Sequence, residues 1–288
     1  MKLKTPHSFY VKKRFLMLKQ SFTWWSFAGP DTDPETLLRR AAEIGFDGVE
    51  MLDEDLFPIA RDMGLEITTH RAHAPLEVGL NHREHHGSIL EQFETVLKLA
   101  ERWGIPNLIC FSGNRDGLGD DEGADNTVEG LRRLAPLAEN AGVTLVLELL
   151  NSRVDHPDYQ CDRTAWGVQV AKKVASPNVK LLYDVYHMQI MEGDLIRTIR
   201  AHHRHFGHVH IAGNPGRHGP DAGQEINYPA VLEALAAVSP DISVGHEFIP
   251  TQDVEKSLRE SFYLVSEAER RARGFSESLF APSEVVTP

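Results

Sequence analysis

Residues 206–219, FGHVHIAGNPGRHG, combine an apolar strand pattern with a glycine-rich loop that contains polar groups. His208 and His210 alternate with Val209 and Ile211, which are strand-forming residues. The Gly-Asn-Pro-Gly sequence that follows is typical of the end of a strand. This stretch is therefore predicted to place a histidine where a buried strand ends and a loop begins.

Elsewhere in the chain the same pattern recurs with a carboxylate in place of the histidine. In each case an apolar run ends close to an acidic side chain, and polar or turn-forming residues follow. The recurrences are 143–151 (VTLVLELLN) with Glu148, 179–188 (VKLLYDVYHM) with Asp184, and 242–248 (ISVGHEF) with Glu247.

Short apolar runs alternate with longer segments of helical periodicity along most of the chain, which is the pattern of repeated βα units around a parallel sheet. The predicted strands are 19–27, 46–51, 65–70, 107–112, 143–150, 179–185, 206–211 and 242–248. The predicted helices are 34–44, 55–63, 83–103, 127–141, 164–175, 194–205, 228–238 and 254–273. Eight such units in 288 residues predict a single-domain α/β protein, a (β/α)8 TIM barrel.

An open doubly wound sheet is the alternative architecture, but it normally has a glycine-rich dinucleotide turn after its first strand. Ser-Phe-Ala-Gly-Pro stands there instead, so the barrel is favoured. The barrel domain is assigned to 18–274, after an N-terminal extension (1–17) that is expected to be poorly ordered. Residues 275–288 form an aperiodic C-terminal tail, and the acidic segment 116–125 is predicted to be a mobile surface loop.

Composition excludes several classes of function. The formal charge is −12 (30 basic and 42 acidic residues), and this excess of negative charge disfavours a nucleic-acid partner. No apolar run approaches the ~20 residues that span a bilayer, so no membrane association is expected. Cys110 and Cys161 do not form a CxxC pair, which favours a reduced, cytoplasmic protein.

In a barrel, Glu148, Asp184, His210 and Glu247 would lie at the C-terminal ends of strands five to eight, where barrel active sites are found. Each residue alone is more simply a cap, an ion-pair partner or a core histidine. Together, three neighbouring carboxylates would repel one another unless a cation lay between them. Oxygen ligands with one imidazole suit Mg²⁺ or Mn²⁺, and also Co²⁺, so one divalent metal ion is predicted.

Further polar and aromatic groups are predicted near this rim and are candidates for contacts with a substrate. His70 ends the third strand, His187 follows the sixth, and Arg217 lies in the loop after the seventh. Trp24 and Trp25 end the first predicted strand and could form an apolar wall, although ordinary packing explains either of them equally well. His208 lies two residues deeper than His210 and is predicted to be structural.

Four stretches resemble the hydroxypyruvate isomerase branch of the xylose-isomerase-like TIM-barrel superfamily of sugar isomerases and epimerases. They are LELLNSRVDHP (147–157), YDVYHMQIMEGDL (183–195), GHVHIAGNPGRHGPDAGQEINYP (207–229) and VGHEF (244–248). The resemblance covers nearly all of the chain between residues 18 and 274. The second and third stretches are specific to that branch, whereas the barrel pattern alone is not.

The resemblance implies that the four strand-end residues bind the metal, that Glu148 and Glu247 are also catalytic and transfer protons, and that His187 and Arg217 bind substrate oxygens. It implies a metal-dependent aldose–ketose isomerase, an intramolecular oxidoreductase, that acts on a small unphosphorylated hydroxy acid or sugar such as hydroxypyruvate. The reaction would pass through an enediolate bound to the metal. Manganese and magnesium are the metals expected.

Two departures from the family pattern leave alternatives open. Isomerases similar to this chain often have Gln where His210 stands, whereas ketose 3-epimerases of the superfamily have His, and the segment after Glu148 is one residue longer than in related proteins. A ketose 3-epimerase is therefore the main alternative. An abasic-site endonuclease and a non-catalytic sugar-binding barrel are remoter ones. The exact substrate, the metal and the oligomeric state, with a homodimer or homotetramer considered, stay undetermined from the sequence.

Overall fold

The structure, a computed structural model that describes residues 18–274, is a closed barrel of parallel strands. Each strand pairs with its sequence neighbours, and the first pairs with the last. Within the described range the eight strands are β1 (Lys19–Thr23), β2 (Gly48–Glu50), β3 (Glu66–Arg71), β4 (Asn107–Cys110), β5 (Thr144–Glu148), β6 (Val179–Asp184), β7 (Phe206–Ile211) and β8 (Ser243–His246). The predicted (β/α)8 barrel is confirmed.

Helices follow the strands, and neighbouring helices such as the last two pack against each other. They are α1 (Trp24–Phe27), α2 (Pro34–Ile44), α3 (Phe57–Asp62), α4 (His86–Trp103), α5 (Asp120–Ala141), α6 (Thr164–Val174), α7 (Val185–Met191), α8 (Leu195–His202), α9 (Tyr228–Val238) and α10 (Val254–Ala272). Short 3-10 turns lie at Glu54–Leu56, Arg83–His85 and His203–His205. The apolar faces of the helices and strands bury one continuous core of aliphatic and aromatic side chains.

Local sequence signals explain where the helices begin and end. The Asp33 carboxylate accepts the backbone N–H of Thr36 and caps α2, whose first residue is proline. Gly104 and Gly142 end α4 and α5 in the left-handed conformation, which glycine adopts without steric cost. These turns connect each helix to the next strand at the end of the barrel opposite the rim described below.

Two short helices after strands were not predicted. The predicted first strand, 19–27, ends at Thr23, and the chain turns at once into α1. After β6, α7 begins because the Asp184 carboxylate caps it: Oδ1 accepts the backbone N–H of His187 at 3.1 Å. Asp184 therefore ends a strand and starts a helix.

The prediction of a mobile loop at 116–125 is wrong for its second half, since α5 begins at Asp120 rather than at residue 127. Acidic residues in a first helical turn interact favourably with the helix dipole, which explains the early start. The predicted extension 1–17 and tail 275–288 lie outside the described residues. In the part of the chain that the structure describes, no helix is long and apolar enough to cross a membrane.

Candidate functional site

The C-terminal rim of β5 to β8 brings together the four residues predicted to bind a metal. Glu148, Asp184, His210 and Glu247 are all buried, and each offers one ligand atom within 4.8 Å of the others. Strand register explains the convergence, since Asp184 pairs with His210 across β6 and β7. Adjacent parallel strands thereby present the ends of their polar side chains at one level of the barrel.

His210 lies at the centre of this group. Its Nδ1 is 3.1 Å from Glu247 Oε2, 3.5 Å from Glu148 Oε1 and 4.0 Å from Asp184 Oδ2. Burial opposes the charged form of the imidazole, but Glu247 and the other carboxylates around the ring raise the pKa of His210 well above its ordinary value. Either a proton or a metal cation on Nδ1 can offset this negative charge.

The carboxylates differ in their environments. Burial, reinforced by Glu247, raises the pKa of Asp184 to about 7 even though Arg217 opposes this. Burial acts on Glu247 in the same direction, but His210 and Arg217 outweigh it and hold the pKa of Glu247 well below its ordinary value. Asp184 Oδ2 is buried without a hydrogen-bond partner among residues 18–274. This unpartnered oxygen and the oxygen-rich donor set fit a hard divalent metal ion.

Arg217 lies over the ligand group and is largely buried. Its guanidinium donates to Glu247 Oε2 at 2.5 Å and is 4.0 Å from Asp184 Oδ2. The guanidinium carbon lies 5.3 Å from the Trp25 ring centroid and 5.5 Å from that of Tyr186, within cation–π range. Its Nε–H has no partner among the described residues. A buried cation therefore keeps one donor for another molecule.

His187 supplies a second donor of this kind. Its Nδ1 accepts the backbone N–H of Asn151 at 3.2 Å and the side-chain amide of Asn151 at 2.6 Å. The amide orientation is determined because Asn151 Oδ1 accepts backbone N–H groups from Val154 and Asp155. Burial lowers the pKa of His187 well below its ordinary value, so the ring is neutral and its proton lies on Nε2. That nitrogen is 3.7 Å from Asp184 Oδ2.

The structure corrects the assignment of Trp24 as a substrate contact. Trp24 is only 8% exposed and belongs to the core, whereas Trp25 is 41% exposed and donates its indole N–H to Glu247 Oε1 at 3.1 Å. The reason is that α1 begins at Trp24, so the two neighbouring side chains point in directions set by a helical turn rather than by strand alternation.

His70 is also corrected as a substrate contact. It follows Thr69, whose hydroxyl donates to Glu50 inside the barrel, so strand alternation directs His70 to the outer face of β3. There its ring packs edge-on against Phe57, with the centroids 6.2 Å apart. Its described contacts are with the surrounding core rather than with the metal-ligand group.

Glu50 is a buried residue of the site that the sequence reasoning missed. It ends β2, contacts His210 from below, and belongs with His208 and His210 to a second group of potential ligands. A signal was present, because Glu50 ends a predicted strand in the same way as the three quoted carboxylates. Tyr186 and His156 were also missed. The ring of His156 lies 5.4 Å from that of His187.

With this geometry established, comparison with known proteins assigns the family. Residues 38–264 match the family model described as the xylose isomerase-like TIM barrel. This chain belongs to that family. The membership confirms the superfamily predicted from the strand-end motifs.

Two curated relatives bear names of the predicted branch. The chain is 38% identical over 131 residues to the 2-oxo-tetronate isomerase of Cupriavidus necator, an alignment that covers 46% of this chain and 50% of that protein. It is 29% identical over 234 residues to the hydroxypyruvate isomerase of Escherichia coli, covering 76% of this chain and 89% of that protein. The first alignment thus spans half the length of the relative.

Solved structures of the same fold have more diverse descriptions. One described as an AP endonuclease of family 2 from Brucella melitensis is 29% identical, with a TM-score of 0.75, over 84% of this chain and 97% of that one. An L-ribulose 3-epimerase has the same TM-score of 0.75 at 19% identity, over 93% of this chain and all of that one. The second likeness shows the fold alone.

Proposed function

We propose that this protein is a divalent-metal-dependent isomerase of a short hydroxy-carbonyl acid, of the hydroxypyruvate isomerase type. The observation that supports it most directly is the convergence of four ligand atoms within 4.8 Å, beside two buried N–H donors that have no partner among the described residues. Those donors are Nε of Arg217 and Nε2 of His187. Such a site suits a small molecule with several oxygens.

Glu148, Asp184, Glu247 and Nδ1 of His210 would hold the metal ion. Mg²⁺ or Mn²⁺, and also Co²⁺, match a set of three carboxylates and one imidazole. When bound, such an ion supplies a Lewis acid for neighbouring carbonyl and hydroxyl oxygens of a substrate.

Glu148 and Glu247 are the candidates for proton transfer. Glu148 ends β5 and Glu247 follows β8, the two outer strands of the arc that provides the ligands. A substrate between them would therefore have a carboxylate on each side. One carboxylate removes a proton from the carbon with the hydroxyl group, and a proton is returned to the former carbonyl carbon. The hydroxyl proton moves to the former carbonyl oxygen, so no atom is gained or lost.

Arg217 and His187 favour an acidic substrate. Glu247 pairs with Nη2 of the Arg217 guanidinium, and the unpartnered Nε–H can donate to an anionic oxygen. His187, neutral and held by Asn151, offers a donor that does not compete for the substrate proton. The names of both relatives denote enzymes of short oxo acids, which agrees with this arrangement.

The proposal is tested by incubating the metal-loaded protein in D₂O with hydroxypyruvate, a four-carbon 2-oxo-tetronate and free ketoses, each with Mg²⁺, Mn²⁺ or Co²⁺. Proton NMR identifies the product and the position of deuterium. We expect the carbonyl group of an oxo acid to move to the neighbouring carbon, with deuterium on the former carbonyl carbon. Hydroxypyruvate would give an aldehyde, and the four-carbon 2-oxo-tetronate would give a 3-oxo acid. Failure of every oxo acid to react or exchange would overturn the proposal.

A ketose 3-epimerase is the second candidate, because His210 stands where the resemblance places histidine in the epimerases. In the same experiment an epimerase would introduce deuterium at the carbon that lost its proton, with inversion there and with the carbonyl group in its original position. Turnover of a free ketose alone would establish this alternative. A sugar-binding barrel would give neither turnover nor exchange.

An abasic-site endonuclease is disfavoured by charge and by ligand number. The chain has a formal charge of −12, which opposes binding to a phosphate backbone. The two potential ligand groups in the described residues share His210, so they do not form separate metal sites. Cleavage of an abasic oligonucleotide would contradict this conclusion.

A further inference from the structure

Glu50 lies beneath the metal-ligand group, inside the barrel and fully buried. Its Oε1 accepts from Ser21 Oγ at 2.6 Å and lies 3.0 Å from His208 Nε2. Its Oε2 accepts from Thr69 Oγ1 at 2.8 Å and lies 3.0 Å from His210 Nε2. An ionised carboxylate only accepts hydrogen bonds, so both imidazoles must donate to Glu50 through Nε2.

This requirement determines which nitrogen of His210 faces the three carboxylates of the metal-ligand group. If Nε2 holds the proton, a neutral imidazole has its lone pair on Nδ1, which is the nitrogen nearest Glu148, Asp184 and Glu247. We infer that Glu50 is a positioning residue that fixes the tautomer and the ring orientation in which His210 binds the metal. The inference rests on the metal site of the proposed function.

The neighbouring strand leaves room for this contact. Gly245 of β8 pairs with His210 in the sheet. A Cβ atom on Gly245 would lie 2.0 Å from Glu50 Oε1 and 2.7 Å from His210 Cδ2, closer than any side chain tolerates. Glycine at this position therefore allows a carboxylate from β2 to reach an imidazole on β7 across the interior of the barrel.

Replacement of Glu50 by Gln tests whether this carboxylate fixes the tautomer of His210. Gln has nearly the same shape but only one accepting oxygen. Because each carboxylate oxygen of Glu50 lies next to an imidazole Nε2, the NH₂ group of Gln must face at least one imidazole N–H. His210 can relieve that conflict by moving its proton to Nδ1, where it would exclude the metal. Loss of a hydrogen-bond partner behind a metal ligand typically lowers metal affinity about 10–100-fold, and we expect a loss of this size.

The experiment is a calorimetric titration of metal-stripped protein with Mn²⁺. It compares wild type, Glu50→Gln, His210→Gln and the double variant. We expect Glu50→Gln to lose about 10–100-fold in affinity. In the His210→Gln background the same change should lower Mn²⁺ affinity by less than about threefold, because an amide ligand has no tautomer to fix.

An equal loss of Mn²⁺ affinity in both backgrounds, or no loss in either, would overturn the inference. Wild type that binds no Mn²⁺ would refute the proposed metal site itself, which is a different outcome.

A second measurement locates the metal and the proton on His210 directly in the wild-type protein. Nitrogen-15 NMR of the Zn²⁺-loaded wild type, a diamagnetic probe, distinguishes metal-bound from protonated imidazole nitrogens. We expect Zn²⁺ on Nδ1 of His210 and a slowly exchanging proton on Nε2, with the assignment made by comparison with the spectrum of His210→Gln. Zn²⁺ on Nε2 would overturn the inference, while the metal site would remain established.

Discussion

Two layers of the barrel interior each combine buried carboxylate with imidazole, yet they differ in hydrogen bonding. The outer layer is Glu148, Asp184, His210 and Glu247, and the inner layer is Ser21, Glu50, Thr69 and His208. Both are buried. In the inner layer each oxygen of Glu50 has two donors, whereas the outer layer leaves Asp184 Oδ2 without a partner among the described residues.

This difference teaches that residue type and burial do not identify a binding site by themselves. A buried carboxylate whose oxygens are all bonded serves the protein, because little further interaction is available to it. A buried oxygen with no partner is costly unless another molecule or ion satisfies it. The outer layer should therefore determine turnover, and the inner layer should determine stability and the orientation of the ligands.

The largest expected effect is on turnover. Glu148→Gln and Glu247→Gln each remove a proposed proton-transfer group, and we expect turnover to fall by at least about 10²–10⁴-fold. The measurement is kcat with Mn²⁺ and the oxo acid that reacts in the substrate panel. Glu101→Gln, on the exposed surface of α4, is the matched control and should keep full activity. Near-normal turnover in either variant would contradict the expectation that the outer layer determines turnover.

A smaller effect is expected on stability when the inner layer is changed. His208→Phe keeps an aromatic ring but removes a donor from Glu50, which should lower the free energy of unfolding by about 1–3 kcal/mol. His208→Gln retains a donor and should lose less. Denaturant unfolding of the metal-free proteins measures both. Equal stability of the two variants would show that the hydrogen bond to Glu50 does not support the inner layer.

The smallest effect concerns the edge of the outer layer. Trp25→Leu removes the indole N–H donor to Glu247 and the ring beside Arg217. A partly exposed cation–π contact is worth about 0.5–1 kcal/mol, so we expect KM to rise a few-fold while kcat changes less. Tyr263→Leu, an exposed aromatic change on α10, is the control. A large fall in kcat with constant KM would instead place Trp25 in the proton-transfer step.

Much of the fold and the outer layer could be predicted because the signals are local. Alternation of apolar strands and amphipathic helices predicts the barrel, and each outer-layer residue ends its own apolar run. Successive strands of a barrel must place such ends on one rim. No long-range information is needed to bring Glu148 and Glu247 to the same site.

The remainder depends on contacts that no local pattern specifies. The place of Glu50 at a strand end is a local signal, but its contact with His210 is not, because the two residues are 160 positions apart and β2 has only three residues from which to read a register. The choice between Trp24 and Trp25 depends on where α1 begins, and a one-residue shift exchanges their surroundings. His70 ends a correctly predicted strand, but which face it occupies follows from the register of β3 rather than from its residue type.

Asp184 limits how this site can be redesigned. One carboxylate oxygen holds the first turn of α7, and the other faces the metal-ligand group. A longer glutamate, introduced to change metal preference, would alter the helix start along with the coordination. Because α7 also contains Tyr186 and His187, this substitution would move the ring that contacts Arg217 and the proposed substrate donor His187. Metal choice and substrate choice are therefore not independent traits here, and variants selected for one should be screened for the other.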